Sequence, residues 1–205
     1  MSEKLVTRSV ELPSGELRVL QPAESAELPD DGAVEWAPLA PYWSVLWRSG
    51  VALAQELDGE PLAGARVVEL GCGLALPSIA AARAGATALA TDESIEALEL
   101  AARNAEANGV SMETEAVSWH AADSLFRRAP FDLVFAADVL YERANVATLL
   151  ALLPRLAPVA WLADPNRPAA EAFIEQARRR GWEVETRERG VVTIHRLGIS
   201  LNDGH

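Results

Sequence analysis

The sequence has 205 residues, half of them hydrophobic, which is enough to bury a core in one domain of ordinary size. Thirty acidic residues against eighteen basic ones give a formal net charge of −12. This charge opposes the phosphate neutralisation on which nucleic-acid binding depends. The composition excludes intrinsic disorder as the overall state and disfavours a broad role on nucleic acids or anionic membranes.

The sequence also predicts a soluble, cytoplasmic protein. Its single cysteine, Cys72, cannot form an internal disulfide, and the polar residues 1–4 lack the basic and apolar regions of a signal peptide. The longest apolar stretch, residues 146–163, is interrupted by two prolines and an arginine. It therefore falls short of the roughly 20 residues that a membrane-spanning helix needs.

The first 60 residues predict a hairpin, an acidic connector and a helix. Residues 5–10 and 16–20 alternate between apolar and polar, with a Pro-Ser-Gly turn between them. A polar stretch follows from residue 21 to residue 35. Residues 44–57 then show the period of an amphipathic helix. We expect residues 1–35 to form the hairpin and connector, and residues 36–205 to form the main domain.

From residue 66 onward, short apolar runs alternate with longer helical stretches, which is typical of a parallel sheet covered on both faces. The predicted strands are residues 66–70, 86–91, 112–117, 131–136, 159–163, 182–187 and 191–197. The predicted helices are residues 76–84, 94–108, 142–153 and 167–180. The last two strands are joined by a turn too short for a parallel crossover. We therefore predict an α/β, Rossmann-like, doubly wound sheet of seven strands, mostly parallel with one antiparallel strand.

Ligands of doubly wound sheets lie over the carboxyl ends of the strands, where this sequence has a glycine turn and two acids. Gly71 and Gly73 follow the first strand of the sheet, and Glu69 precedes them. Asp92 ends the next strand, where a carboxylate can accept hydrogen bonds from ribose hydroxyls. A carboxylate at Glu69 would repel a pyrophosphate and suit an ammonium group. These residues favour S-adenosylmethionine over NAD as the ligand.

The same residues resemble the class I, seven-β-strand S-adenosylmethionine-dependent methyltransferases over roughly residues 36–197. Residues 69–75, Glu-Leu-Gly-Cys-Gly-Leu-Ala, look like their first motif, with Ala75 where a third glycine is common. Asp138-Val-Leu-Tyr141 looks like the Asp-x-x-Tyr signature of methyltransferase family 16. Residues 41–47 and 164–167 resemble segments of the electron-transfer-flavoprotein β-subunit lysine methyltransferases and their bacterial, nicotinamide N-methyltransferase-like relatives.

The resemblance implies a donor site and an acceptor site. Its implied donor-binding residues are Trp47, Glu69, Gly71, Gly73, Asp92, Trp119 and Asp138. Asp138 and Tyr141 are the implied catalytic residues, with Asp138 orienting an acceptor amine. No cluster has the spacing of metal ligands, so a metal-dependent methyltransferase is disfavoured.

Several of these residues also have purely structural interpretations. Trp119 stacks on the adenine or packs under a loop. Trp43 and Trp47, four residues apart on the predicted early helix, are core residues, a lid over the donor, or both. Asp164 and Arg167 line the ligand edge or simply pair with one another.

The function predicted first is methylation of a protein lysine by S-adenosylmethionine. A small-molecule N-methyltransferase is the alternative within the same chemistry, so the expected partner is a protein or small-molecule amine, with no nucleic acid or membrane. From a different class comes a non-enzymatic, donor-binding assembly partner. A nicotinamide-dependent oxidoreductase is the remaining alternative.

Overall fold

The computed structural model describes residues 4–27 and 41–199, and its centre is a seven-stranded sheet. In chain order the sheet strands are β3 (Arg66–Leu70), β4 (Thr87–Asp92), β5 (Glu113–Ala116), β6 (Leu133–Ala137), β7 (Val159–Asp164), β8 (Trp182–Arg189) and β9 (Val192–Ile199). An N-terminal hairpin of β1 (Leu5–Leu12) and β2 (Gly15–Pro22) forms a separate two-stranded sheet.

The strand order across the large sheet is β5-β4-β3-β6-β7-β9-β8. The five strands from β5 to β7 run parallel, and β9 is antiparallel to both of its neighbours. Strand β8 therefore points the same way as the five parallel strands. The predicted seven-stranded sheet with one antiparallel strand is confirmed, and its order reverses between β3 and β6.

Helices cover both faces of the sheet. They are α1 (Arg48–Asp58), α2 (Leu76–Arg83), α3 (Ile95–Ala107), α4 (Asp123–Arg128), α5 (Arg143–Leu156) and α6 (Pro168–Arg179). Residues of α1, α2 and α3 share one apolar cluster with one face of the strands. Residues of α4, α5 and α6 share a second cluster with the other face. The predicted doubly wound arrangement is thus confirmed.

The N-terminal hairpin packs onto the first of these layers. Leu17 and Val19 are fully buried and belong to the same cluster as α1 and α2. Two asparagines hold the backbone of β2: the side chain of Asn104 in α3 accepts from the Leu20 N–H at 2.7 Å, and that of Asn108, just after α3, accepts from the Arg18 N–H at 2.8 Å. Most of the acidic connector, residues 28–35, lies outside the described residues.

The largest differences between the structure and the predicted elements are at two places, and the other bounds differ by up to three residues. The helix expected over residues 44–57 begins only at Arg48, and residues 42–44 form a separate 3-10 turn. Backbone at Val45 and Trp47 is extended, which breaks the helix there. Helix α4 was not predicted, because six residues are too few to show a helical period. None of the described helices is long and apolar enough to cross a membrane.

Candidate active site

The loop after β3 is tightly turned and closely covered. Gly71, Gly73 and Ala75 all have left-handed backbone, with φ of 68°, 49° and 60°. A Cβ on Gly73 would lie 2.7 Å from the carbonyl oxygen of Trp43. Only glycine fits this position, since no real Cβ approaches a backbone oxygen so closely. The loop therefore brings bare backbone to the carboxyl edge of the sheet.

Asp92 ends β4 beside this loop and is partly exposed. One carboxylate oxygen accepts from the Gly73 N–H at 3.0 Å, and the other accepts from the Ser94 N–H at 3.0 Å. Each carboxylate oxygen has a further lone pair. Asp92 can thus fix the glycine loop and still accept hydrogen bonds from the vicinal hydroxyls of a ribose.

Glu69 lies behind the loop, 1% exposed, in the central strand. One of its oxygens accepts from the Ser78 backbone N–H at 3.0 Å and from the Ser78 hydroxyl at 2.5 Å, so Glu69 caps the start of α2. Burial raises the pKa of Glu69 to about 8, against the lowering effect of the Ser78 hydrogen bonds. The structure shows Glu69 supporting the loop, and its contact with a donor ammonium stays a prediction.

Trp119 begins a 3-10 turn after β5 and is partly buried. The edge of its ring lies 3.3 Å from the position that a Cβ on Gly71 would occupy, with Val139 at 3.4 Å on the other side. The ring also packs on the apolar cluster of α5 and α6. Trp119 therefore touches both the core and the glycine turn, and adenine stacking stays a prediction.

The two early tryptophans do not share a helix face, which corrects the expectation for them. Trp43 lies in the 3-10 turn, and Trp47 precedes the first residue of α1. The indole N–H of Trp47 donates to the carbonyl of Tyr42 at 3.0 Å, which folds the segment back on itself. The Trp43 carbonyl meanwhile lies over Gly73. The segment covers the glycine loop mainly through its backbone, and donor contact by Trp47 stays a prediction.

Asp138 follows β6 and is bound by an arginine. Its backbone is left-handed, with φ of 59°, and its N–H donates to the Ala163 carbonyl at 2.9 Å. One Arg167 nitrogen donates to Asp138 at 2.6 Å and to Asp164, at the end of β7, at 3.2 Å. The Arg167 backbone N–H also donates to Asp164, at 2.6 Å. The predicted Asp164–Arg167 pair is present, and Asp138 completes a triad that the sequence did not indicate.

The three members of the triad differ in exposure. Asp164 is 1% exposed, Asp138 10% and Arg167 23%. Burial raises the pKa of Asp164, the charge of Asp138 adds to the rise, and contacts with Arg167 oppose it. The guanidinium of Arg167 therefore opposes the effect of burial on Asp164.

Tyr141 follows the carboxyl end of β6 and is 62% exposed. Partial loss of solvation raises its pKa, a hydrogen bond with Asn145 opposes the rise, and the charges of Glu142, Glu93 and Asp92 add to it. Asp138 follows the same end of β6, and the catalytic roles of Asp138 and Tyr141 stay predictions.

Neither metal nor thiol chemistry is supported by the described residues. Within residues 4–27 and 41–199 no group of three or more potential ligands could hold a metal ion. Cys72 is buried, and burial together with Glu69 and Asp92 raises the pKa of its thiol. His120 is exposed. The site offers carboxylates, aromatic rings and backbone groups.

Solved structures share this fold. The 16S rRNA N2 G1207 methyltransferase of T. thermophilus, solved with AdoMet and guanosine, has a TM-score of 0.66 at 17% identity, covering 97% of this chain and 51% of that one. A magnesium protoporphyrin IX methyltransferase from Synechocystis, solved with SAM, has a TM-score of 0.57 at 22% identity, covering 75% and 79%. At these identities the likeness concerns the fold alone.

Several relatives in sequence are protein methyltransferases, and another is a ubiquinone biosynthesis O-methyltransferase of Rhizobium leguminosarum. The histone-arginine methyltransferase METTL23 of Xenopus laevis is 31% identical over 70% of this chain and 62% of its own length. The protein N-lysine methyltransferase METTL21A of Mus musculus is 35% identical over 55% of each chain. The electron transfer flavoprotein beta subunit lysine methyltransferase of Xenopus laevis is 34% identical over 56% of this chain and 46% of its own. The chain thus spans about three fifths or less of these relatives.

The family itself is shown by a family model described as lysine methyltransferase, which matches residues 42–163, more than half of the chain. The match includes the glycine loop, Asp92, Trp119 and the Asp138–Tyr141 segment. The chain belongs to methyltransferase family 16, a branch of the class I S-adenosylmethionine-dependent methyltransferases.

Proposed function

We propose that this methyltransferase transfers a methyl group from S-adenosylmethionine to the side-chain nitrogen of a lysine in a protein. Support for the donor comes from the family and from the residues around the glycine loop. Support for a protein acceptor comes from the family model and from the exposed side chain of Tyr141 beside Asp138.

The residues present fit the donor. Asp92 keeps free lone pairs for a ribose diol while its carboxylate also holds Gly73. The ring edge of Trp119 lies beside Gly71, where an adenine would find a flat apolar neighbour. When bound, the donor supplies an activated methyl group on a sulfonium.

The observation that carries the protein acceptor is the match of residues 42–163 to the family model described as lysine methyltransferase. An exposed aromatic side chain beside the site agrees with it: Tyr141 is 62% exposed and lies three residues after Asp138. A tyrosine ring has an apolar face and a polar hydroxyl, so it can contact an acceptor polypeptide.

The charge near Tyr141 favours a basic acceptor segment. Glu142, Glu93 and Asp92 all act electrostatically on Tyr141. Each can attract a cationic side chain next to the acceptor lysine.

In the transfer, the lone pair of the neutral amine attacks the methyl carbon while the carbon–sulfur bond breaks and its electron pair stays on sulfur. The methylated nitrogen is then positively charged and releases a proton to solvent. A lysine presented neutral at pH 7 costs about 4–5 kcal/mol, because its ordinary pKa is near 10.4. We assign Asp138 the orientation of the amine and Tyr141 an apolar wall beside it. Positioning and exclusion of water are the main contributions of the protein.

The test compares Asp138→Asn with the wild type in donor affinity, by calorimetry, and in methyl incorporation from labelled donor into the proteins of a cell extract. Asparagine keeps the shape and tolerates the left-handed backbone at this position. We expect a loss of turnover of about 100-fold or more with donor affinity preserved. Glu171→Gln on the exposed face of α6 is the matched control. Near-normal turnover in Asp138→Asn would remove Asp138 from the acceptor site.

An arginine acceptor is the second candidate, and one contact favours it. Asp138 already binds a guanidinium, that of Arg167, at 2.6 Å. The METTL23 relative is a histone-arginine methyltransferase. Identification of the methylated amino acid distinguishes the two candidates.

We also propose that the protein works in the cytoplasm. Its single cysteine is buried and forms no internal disulfide. Localisation of a tagged full-length protein tests this, and a secreted pool would contradict it.

A further inference from the structure

We propose that Arg167 is a positioning residue that holds Asp138 in the acceptor site and reduces the negative charge that the acceptor amine meets there. This inference rests on the proposed function, since the amine is that of the acceptor. It concerns the triad of Asp138, Asp164 and Arg167, which assembles only in the folded chain.

The first step is mechanical. Asp138 is held at two points: its backbone N–H donates to Ala163 in β7, and its side chain accepts from Arg167, which lies between β7 and α6. Arg167 is itself fixed, because its backbone N–H donates to Asp164. The non-glycine left-handed backbone of Asp138 is a conformation that surrounding contacts must impose. Arg167 supplies the side-chain half of that restraint.

The second step is electrostatic. One guanidinium nitrogen lies 2.6 Å from Asp138 and 3.2 Å from Asp164, so the bonded carboxylate oxygens are within about 6 Å of each other. With all three ionised the triad carries one negative charge, and without the guanidinium it carries two. Since the triad is mostly buried, water screens these charges weakly. A doubly negative pair would hold the amine as ammonium, which has no lone pair to donate.

Other titratable groups lie on elements next to the triad. Asp92 at the end of β4, Glu93 after it and Glu142 before α5 act electrostatically on Tyr141. On β9, His195 lies two residues from Thr193, the register partner of Asp164. Burial and the charge of Arg178 lower the pKa of His195, so it is neutral above its ordinary value near 6.5. None of these groups differs between the variants below.

The experiment measures methyl transfer against pH at saturating donor, using a cell extract as acceptor. In the wild type the rate rises with pH as the amine loses its proton. We expect Arg167→Gln to raise the pH at which the rate is half of its maximum, the midpoint of this rising limb, by about one unit or more. Asp164→Asn should lower this midpoint, because the remaining pair of Asp138 and Arg167 carries no net charge. The double variant Arg167→Gln/Asp164→Asn restores the single negative charge and should return close to the wild-type limb.

These opposite shifts distinguish an electrostatic effect of the substitutions from structural damage, because damage would lower the rate without moving the midpoint of the limb. If Arg167→Gln does not fold, Asp164→Asn and the double variant still test the sign. Arg167→Lys should keep the wild-type pH dependence but at a lower rate, because lysine retains the positive charge and lacks the several N–H donors of the planar guanidinium. Donor affinity should be unchanged in all four variants. Unmoved limbs, or shifts of the same sign in the two single variants, would overturn the inference.

A second readout needs no acceptor. In protein labelled at the aspartate carboxyl carbons, NMR should show a carboxyl titration about one pH unit or more higher in Arg167→Gln than in the wild type. Unmoved carboxyl titrations would overturn the inference whatever the acceptor is. If these titrations move as expected while the wild type labels no amine, the proposed function fails instead.

Discussion

Replacing Glu69 by glutamine should change how the stability of the protein depends on pH. Glu69 is buried in the central strand, and its pKa is raised from 4.5 to about 8. Below pH 4.5 the group is protonated in both folded and unfolded chains and contributes nothing to the pH dependence. Between pH 4.5 and 8 the unfolded chain loses this proton while the folded chain keeps it. The free energy of unfolding therefore falls as pH rises through this window.

The loss of stability can be calculated from the pKa shift of Glu69. Each pKa unit corresponds to 1.36 kcal/mol, so the full rise of Glu69 removes about 5 kcal/mol of stability between acid and pH 8. Glutamine is nearly isosteric, and its carbonyl can still accept from the Ser78 N–H and hydroxyl. It has no proton to lose. Glu69→Gln should therefore gain stability relative to the wild type as pH rises, by up to about 1.4 kcal/mol per pH unit.

The assay is urea unfolding followed by tryptophan fluorescence at pH 5, 6, 7 and 8, for the wild type, Glu69→Gln and a control. Glu99→Gln, exposed on α3, is the matched control and should run parallel to the wild type. Subtracting the two curves removes the contributions of the other acids. A stability difference between Glu69→Gln and the wild type that is constant from pH 5 to pH 8 would refute the burial argument.

Three further predictions concern the donor side of the site. Asp92→Ala should weaken S-adenosylmethionine binding by about 1.5–3 kcal/mol in calorimetry, because charge-assisted hydrogen bonds are lost; unchanged affinity would remove the ribose assignment. Gly73→Ala should lower the free energy of unfolding in urea by about 1–3 kcal/mol, since its Cβ would meet the Trp43 carbonyl at 2.7 Å. Gly109 also has left-handed backbone but lies in open space, so Gly109→Ala should lower it by less. Trp119→Ala should abolish most of the donor-induced fluorescence quenching and weaken binding; preserved affinity in a less stable protein would favour the core role.

The sheet could be predicted from the sequence because local patterns carry it. Strand β3 matches the predicted residues 66–70, since a buried apolar run ends there in a glycine turn. The antiparallel β9 follows from a turn too short for a crossover. The start of α1 could not be predicted, because the backbone of Trp43 lies against Gly73, a contact distant in sequence. Periodicity alone continues the helix through that segment.

In the candidate site, too, local sequence patterns predict some features, while others depend on contacts between distant residues. The positions of Asp92 and Asp138 at strand ends follow from the alternation of strands and helices. The pairing of Asp138 with Arg167 joins residues 29 apart in the chain and depends on β6 lying beside β7. The state of Glu69 depends on burial beneath α2, which raises its pKa, so a carboxylate expected to act through its charge is mainly protonated at neutral pH. Neither the Asp138–Arg167 pair nor the raised pKa of Glu69 can be recognised from neighbouring residues in the sequence.

The most direct measurement of the central claim is to identify the methylated amino acid. Pure protein is incubated with methyl-labelled S-adenosylmethionine and a cell extract, and the labelled protein fraction is hydrolysed to amino acids. We predict label in ε-N-methylated lysine, lost with Asp138→Asn and retained with Glu171→Gln. Label confined to small molecules, or found in methylated arginine, would contradict a protein-lysine acceptor.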